Sequence, residues 1–143
     1  MAVARETQAV ADPGKEGFVL LTDHGITTVA DAVVAKMAGI AAREVEGVHG
    51  LGKSFRRLVG RVRAGDSLAQ GVNVEVGKKE AAIDLVIVIQ YGFSIPVVAQ
   101  ALRENVISTV EKGTGLVVKE VNIEVDDLYI PSEEPSASGA RVE

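Results

Sequence analysis

The chain contains no cysteine and no tryptophan, and only three Phe and two Tyr among 143 residues. The missing thiols exclude disulfides, thiolate metal sites and cysteine nucleophiles, and they agree with a reducing compartment. So few aromatics leave little surface on which bases could stack, which counts against single-stranded nucleic acid as a ligand. Cations are in the minority: 15 Lys and Arg face 20 Asp and Glu, for a net charge of −5. That balance repels phosphate backbones unless a basic patch is set apart from the acidic remainder. The two histidines, His24 and His49, fall in expected loops without partners at ligand spacing, so no metal donor set is legible. Long apolar runs are missing as well. The run between Asp84 and Gln90 is far below the roughly 20 residues a bilayer span requires. The N-terminal residues lack the apolar core of a secretory signal, and no lipidation motif stands at either end, so the expected location is cytoplasmic.

What is present is aliphatic. Hydrophobic residues make up 47% of the chain, enough for a single domain with a core of Val, Ile, Leu and Ala. Ala81 to Gly92 is the expected central strand, with Ile83, Leu85, Ile87 and Ile89 on one side and Ala82, Val86 and Val88 on the other. Val72, Val74 and Val76 alternate with Asn73, Glu75 and Gly77 and predict a strand that turns through Gly77-Lys78-Lys79-Glu80 into the central one. Ser94 is placed to cap a helix with Pro96 in its first turn. Ile95, Val98, Leu102, Val106, Thr109 and Val110 form its apolar stripe, and Gly113 and Gly115 end it. A last strand follows, with Val117, Val121, Ile123 and Val125 on its inner face.

Upstream, Phe18 to Leu21 predicts a short edge strand and Asp23-His24-Gly25 a turn. Thr28 with Asp31 has the form of a capping box, and Val29, Val33, Met37, Ile40, Ala41 and Val45 predict the buried stripe of a first long helix stopped by Gly47. Residues 18–130 are therefore expected to form one α+β domain: a small, mainly antiparallel sheet of three to four strands with two long helices on one face, in the order helix, strand, strand, helix, strand, with room for an extra helix or strand at residues 48–63. Residues 1–17 and 131–143 are expected to be tails.

Three local patterns suggest chemistry. Gly47-Val48-His49-Gly50-Leu51-Gly52-Lys53-Ser54 matches the phosphate-binding loop residue for residue, but such a loop must leave a buried strand, whereas here a helix precedes it. It is read as a helix stop followed by a loop. Asp126 and Asp127 could pair for acid and base work, although adjacent acids after a strand are usually a solvated end. The third pattern is a set of cations, Lys53, Arg56, Arg57, Arg61 and Arg63, with no acid between Gly47 and Gly65. Interleaved with Phe55, Leu58, Val59 and Val62, they suggest a short amphipathic helix suited to an acidic partner or an anionic lipid surface. They are the candidate partner or membrane contact.

Four stretches taken together, GITTVADAVVAKMAGIAAREVEGV (25–48), GVNVEV (71–76), AIDLVIVIQYGFSIPVVAQALRENV (82–106) and GLVVKEVNIEVDDL (115–128), resemble the alkaline shock protein family of envelope stress response proteins in Gram-positive bacteria. Glu46 stands where members often have Pro, and the linker 52–70 falls in a variable region. The resemblance implies a non-enzymatic cytoplasmic protein of cell-envelope homeostasis, with no cofactor and no catalytic residues. It also implies self-assembly, and for some members a membrane-anchored protein partner that holds them at the inner face of the membrane. The competing expectation is a nucleic-acid-binding regulator, because two helices on a small sheet resemble the layout of K-homology domains. The paired-glycine clamp between successive helices is missing, however.

Overall fold

In a computed structural model, residues 6–9, 17–52 and 70–131 are described. The order of elements is β1 (Glu6–Ala9), β2 (Gly17–Thr22), β3 (Gly25–Ala30), α1 (Asp31–Arg43), β4 (Val48–Leu51), β5 (Val72–Val76), β6 (Glu80–Gln90), α2 (Ile95–Thr114) and β7 (Val117–Tyr129). The α+β class is as expected. The strands form two sheets: β1-β2-β3, antiparallel throughout, and a four-stranded sheet built on β6. Along one edge of β6 lie β4 and β5, both antiparallel and end to end, while β7 runs parallel along the other edge. A parallel neighbour needs a crossover, and α2 supplies it.

Ile83, Ile87 and Ile89 are fully buried and Leu85 nearly so, on the face that receives both helices. Val98, Leu102, Val106 and Val110 of α2 meet them in one cluster with Phe18 and Val34. The ends of α2 form as the sequence predicts. Ser94 Oγ accepts from the Val97 amide at 3.4 Å, Pro96 lies in the first turn, and Gly115 closes the helix at φ 82°, where a side chain would be strained.

The N-terminal third departs from expectation. The capping box does not form: Thr28 is paired with Val19 inside β3, and α1 begins at Asp31 after Ala30, which makes no side-chain cap. The four β-branched residues Ile26, Thr27, Thr28 and Val29 favour extended backbone over a helix start. The face of α1 differs too. Val34, Ala35, Ala38, Gly39, Ala41 and Ala42 are buried, while Val33 and Ile40 remain 42% and 43% exposed. The expected edge strand, β2, is the middle of its sheet, and the backbone of Glu6–Ala9, within the expected N-terminal tail, pairs with it. Val48–Leu51, where the sequence leaves a helix or a strand open, is a strand.

Three bulges re-aim side chains in the main sheet. One extra residue is inserted opposite β6 at His49, at Lys119 and at Asp126. The bulge at Lys119 explains why Val118 is buried while Val117, placed on the inner face by simple alternation, is 51% exposed.

Candidate functional site

Lys53, Arg56, Arg57, Arg61 and Arg63 lie outside the described residues. Their flanking anchors are described. The Gly52 amide donates to Val86 O at 2.6 Å, and the Val86 amide donates to Gly71 O at 2.8 Å. A methyl group placed on Gly71 would lie 3.0 Å from Gly52 O, so the two anchors sit side by side at the middle of β6. The segment carrying the cations is therefore spliced between two collinear strands, β4 and β5, at one point of the sheet edge.

That edge borders an acidic outer face. Opposite the helices, Asp84 of β6 is flanked by Asn73 and Asn122, whose side-chain amides donate to it at 3.5 and 2.9 Å. Asn122 also donates to Glu120 at 3.3 Å. Glu75 and Glu120 pair with Ala82 from either side, and Glu124 pairs with Val86. Val86 is fully buried although it points away from the helices, and Asp126 lies over it, its carboxylate 2.8 Å from where a Gly52 methyl would stand. The bulge makes Asp126 the extra residue, and Asp127 pairs opposite Val88, its Oδ1 accepting from the Leu128 amide at 2.8 Å. The exposed Lys119–Glu80 ion pair at 3.8 Å contributes little to stability.

The second surface is the end of the domain where β6, β7 and α1 finish and α2 begins. The Gln90 amide donates to Gly47 O at 2.9 Å and the Tyr91 amide to Tyr129 O at 2.8 Å. A methyl on Gly47 would lie 3.0 Å from the Phe93 ring, and the His49 imidazole stacks on Tyr129 with centroids 3.7 Å apart and planes at 5°. Around these contacts Tyr91, Phe93, Ile95, Val97 and Leu128 are 65%, 37%, 48%, 67% and 44% exposed. Ile95, read from the sequence as part of the buried stripe, belongs to this exposed group. Three of the chain's five aromatics gather here, a clustering that the spacing of Tyr91 and Phe93 hints at and that only the return of β7 completes. In the last turn of α1, partial burial pushes the pKa of Arg43 down.

An open groove of about 450 Å³ lies at the far end of the sheet, among Glu75, Val76, Glu80, Ala82, Lys119 and Glu120. Among the described residues no group of three His, Asp or Glu side chains is placed to hold a metal ion, and no helix is long and apolar enough to cross a membrane. The phosphate-loop pattern is not built as one, since Val48–Leu51 is an edge strand hydrogen-bonded to β6.

These features define a small α+β domain whose distinctive chemistry lies on open surfaces. The chain belongs to the Asp23, or alkaline shock protein, family, described as having a cell envelope-related function, whose model matches residues 20–130. It is 38% identical over 106 residues to a stress response regulator gls24 homolog of Streptococcus pyogenes serotype M3, a match covering 73% of this chain and 59% of that protein. The chain thus spans about three fifths of the streptococcal relative's length. Over 120 residues it is 34% identical to the uncharacterized protein YqhY of Bacillus subtilis, covering 78% of this chain and 86% of that one. Among solved structures, a variant of MamM CTD matches 66% of the chain at 14% identity with a TM-score of 0.41, a likeness too distant to bear on function.

Proposed function

We propose that this protein is a non-enzymatic interaction module of the cell-envelope stress response, acting in the cytoplasm at the inner face of the membrane. In this reading Lys53, Arg56, Arg57, Arg61 and Arg63 make contact with an anionic surface, the bilayer itself or a membrane-anchored protein partner. The observation that carries the reading is the placement of the anchors Gly52 and Gly71, which mount the cation-bearing segment at one point on the strand that holds the fold together. Five cations with no acid among them repel one another, an arrangement that favours binding over stability. Each cation near an anionic bilayer contributes on the order of 1 kcal/mol, enough in sum for reversible attachment.

Support for the reading comes from the family, which is described as having a cell envelope-related function. The K-homology alternative loses ground, because the outer sheet face carries Glu75, Asp84, Glu120 and Glu124, which repel a phosphate backbone. The test is co-sedimentation with vesicles of anionic and of zwitterionic lipid. Retention on anionic vesicles that is lost as salt rises is the expected result for bilayer contact. Retention on neither, with salt-sensitive recovery in native membrane fractions, assigns the contact to a protein. Retention on neither and no recovery in membranes refutes the reading.

A further inference from the structure

A strand at the edge of a sheet leaves backbone groups unpaired, and proteins commonly cover that edge or blunt it with charge, bulges or short length. The main sheet does so. Along the outer edge of β7, the Val118 amide donates to Glu111 Oε2 at 2.9 Å and Val121 O accepts from Arg103 Nε at 3.1 Å. Two side chains of α2 thus occupy backbone groups that a further strand would need. The same strand carries Lys119, Glu120, Glu124, Asp126 and Asp127 and two bulges. On the other side of β6, β4 is four residues long with a bulge at His49, and β5 includes Asn73 and Glu75.

The edge at β3 is built differently. Gly25–Ala30 pairs with β2 alone, in a register that runs without a bulge from Gly17↔Ala30 to Thr22↔Gly25. Its residues, Gly-Ile-Thr-Thr-Val-Ala, include no charge and no proline. Apart from Thr22 Oγ1 on Gly25 O at 3.2 Å, no side chain among the described residues is hydrogen-bonded to its backbone. In an antiparallel pair the backbone groups of alternate residues turn away from the partner, so β3 presents a row of free N–H and C=O groups. Five of its six residues are exposed, Ile26 at 69%, while Val29 packs on the core and holds the strand to the domain. The backbone row demands an extended segment as its occupant. Beside Ile26, Thr27 and Thr28, β-branched side chains fit best, and a charge would find no counter-charge. The stretches of this chain outside the described residues all carry charge or proline: Arg5, Pro13, the cations from Lys53 to Arg63, and Pro135.

We propose that the open edge of β3 is a docking site for an extended, uncharged, β-branched segment of another protein, which joins β1-β2-β3 as a fourth strand. Main-chain hydrogen bonds supply the affinity, and alternate side chains beside Ile26 and Thr28 supply the selectivity. The edge and the Lys53–Arg63 segment are separate parts of the chain, so either contact stands or falls without the other.

The experiment adds capped peptides of roughly seven residues, alternating Thr with Val, to the isotope-labelled full chain and follows its backbone amides by magnetic resonance. The expected result is a saturable shift centred on Gly25–Ala30 with slowed amide exchange there, at a dissociation constant of about 1 mM or tighter. A peptide with two adjacent prolines at its centre, unable to donate from either edge there, should not bind. Ile26→Lys combined with Thr28→Lys, at two exposed positions, should keep the melting temperature and weaken binding about tenfold or more, because edge lysines oppose strand addition. Four results would each overturn the proposal: no shift at β3 in the millimolar range, equal binding of the proline peptide, undiminished binding by the folded lysine variant, or shifts along β7 instead. Changes at β3 that follow protein concentration without any peptide would place a second copy on the edge and overturn it as well.

Discussion

The two helices pack on the same face of the same sheet, yet opposite kinds of side chain hold them. α2 buries Val98, Leu102, Val106 and Val110, one branched aliphatic per turn. α1 buries Val34, Ala35, Ala38, Gly39, Ala41 and Ala42 and leaves Val33 and Ile40 more than two fifths exposed. The difference is one of distance. Small residues let α1 approach its neighbours closely: the Asn105 side chain of α2 donates to Ala41 O at 2.8 Å, and a methyl group on Gly113 would lie 2.8 Å from Met37 Sδ. A sequence that offers two apolar stripes at helical spacing buries the one that permits the tighter fit, because dispersion contacts fall off within a fraction of an ångström.

Substitutions can break this comparison. The largest effect belongs to Leu102→Ala, which empties a fully buried site on α2 and should destabilise by about 2–5 kcal/mol in chemical denaturation. Ala41→Leu adds volume to the buried small-residue face of α1 and should cost about 1–3 kcal/mol, whereas the same exchange in a loosely packed helix would be neutral. Ser94→Ala removes the α2 cap and should cost ~1 kcal/mol. The smallest effect is expected at Ile40→Ser, within about 0.5 kcal/mol, because that side chain is already half in water. An order reversed between Ala41→Leu and Ile40→Ser would mean that α1 is rotated from the face described.

The contrast also explains what was legible in the sequence. α2 was readable because Ser94, Pro96 and Gly115 are specific to helix ends and its large residues form a single stripe. β5, its turn at Gly77 and β6 were readable from alternation and a short loop, the Gly77 amide donating to Glu80 O at 2.7 Å. α1 was not, since Thr28 and Asp31 imitate a cap inside a β-branched run that the sheet claims, and hydrophobicity ranks Val33 and Ile40 above the alanines that fit. Bulges at His49, Lys119 and Asp126 break the period of two on which strand reading depends, so neither β4 nor the true inner face of early β7 could be placed. Of the surfaces, the cationic segment is written in composition alone. The apolar end is a product of topology, assembled from residues near positions 46, 91 to 97 and 128 that no local pattern connects.

The groups that hold the fold and the cations proposed to bind are different residues. The most direct test is one variant measured in two ways: Arg56, Arg57 and Arg61 changed together to Gln, with the melting temperature and the fraction recovered with native membranes compared against the natural chain. The prediction is a melting temperature nearly unchanged and membrane recovery sharply reduced, with the natural chain released by added salt. Equal membrane recovery in variant and natural chain would contradict it, removing the cationic segment from function.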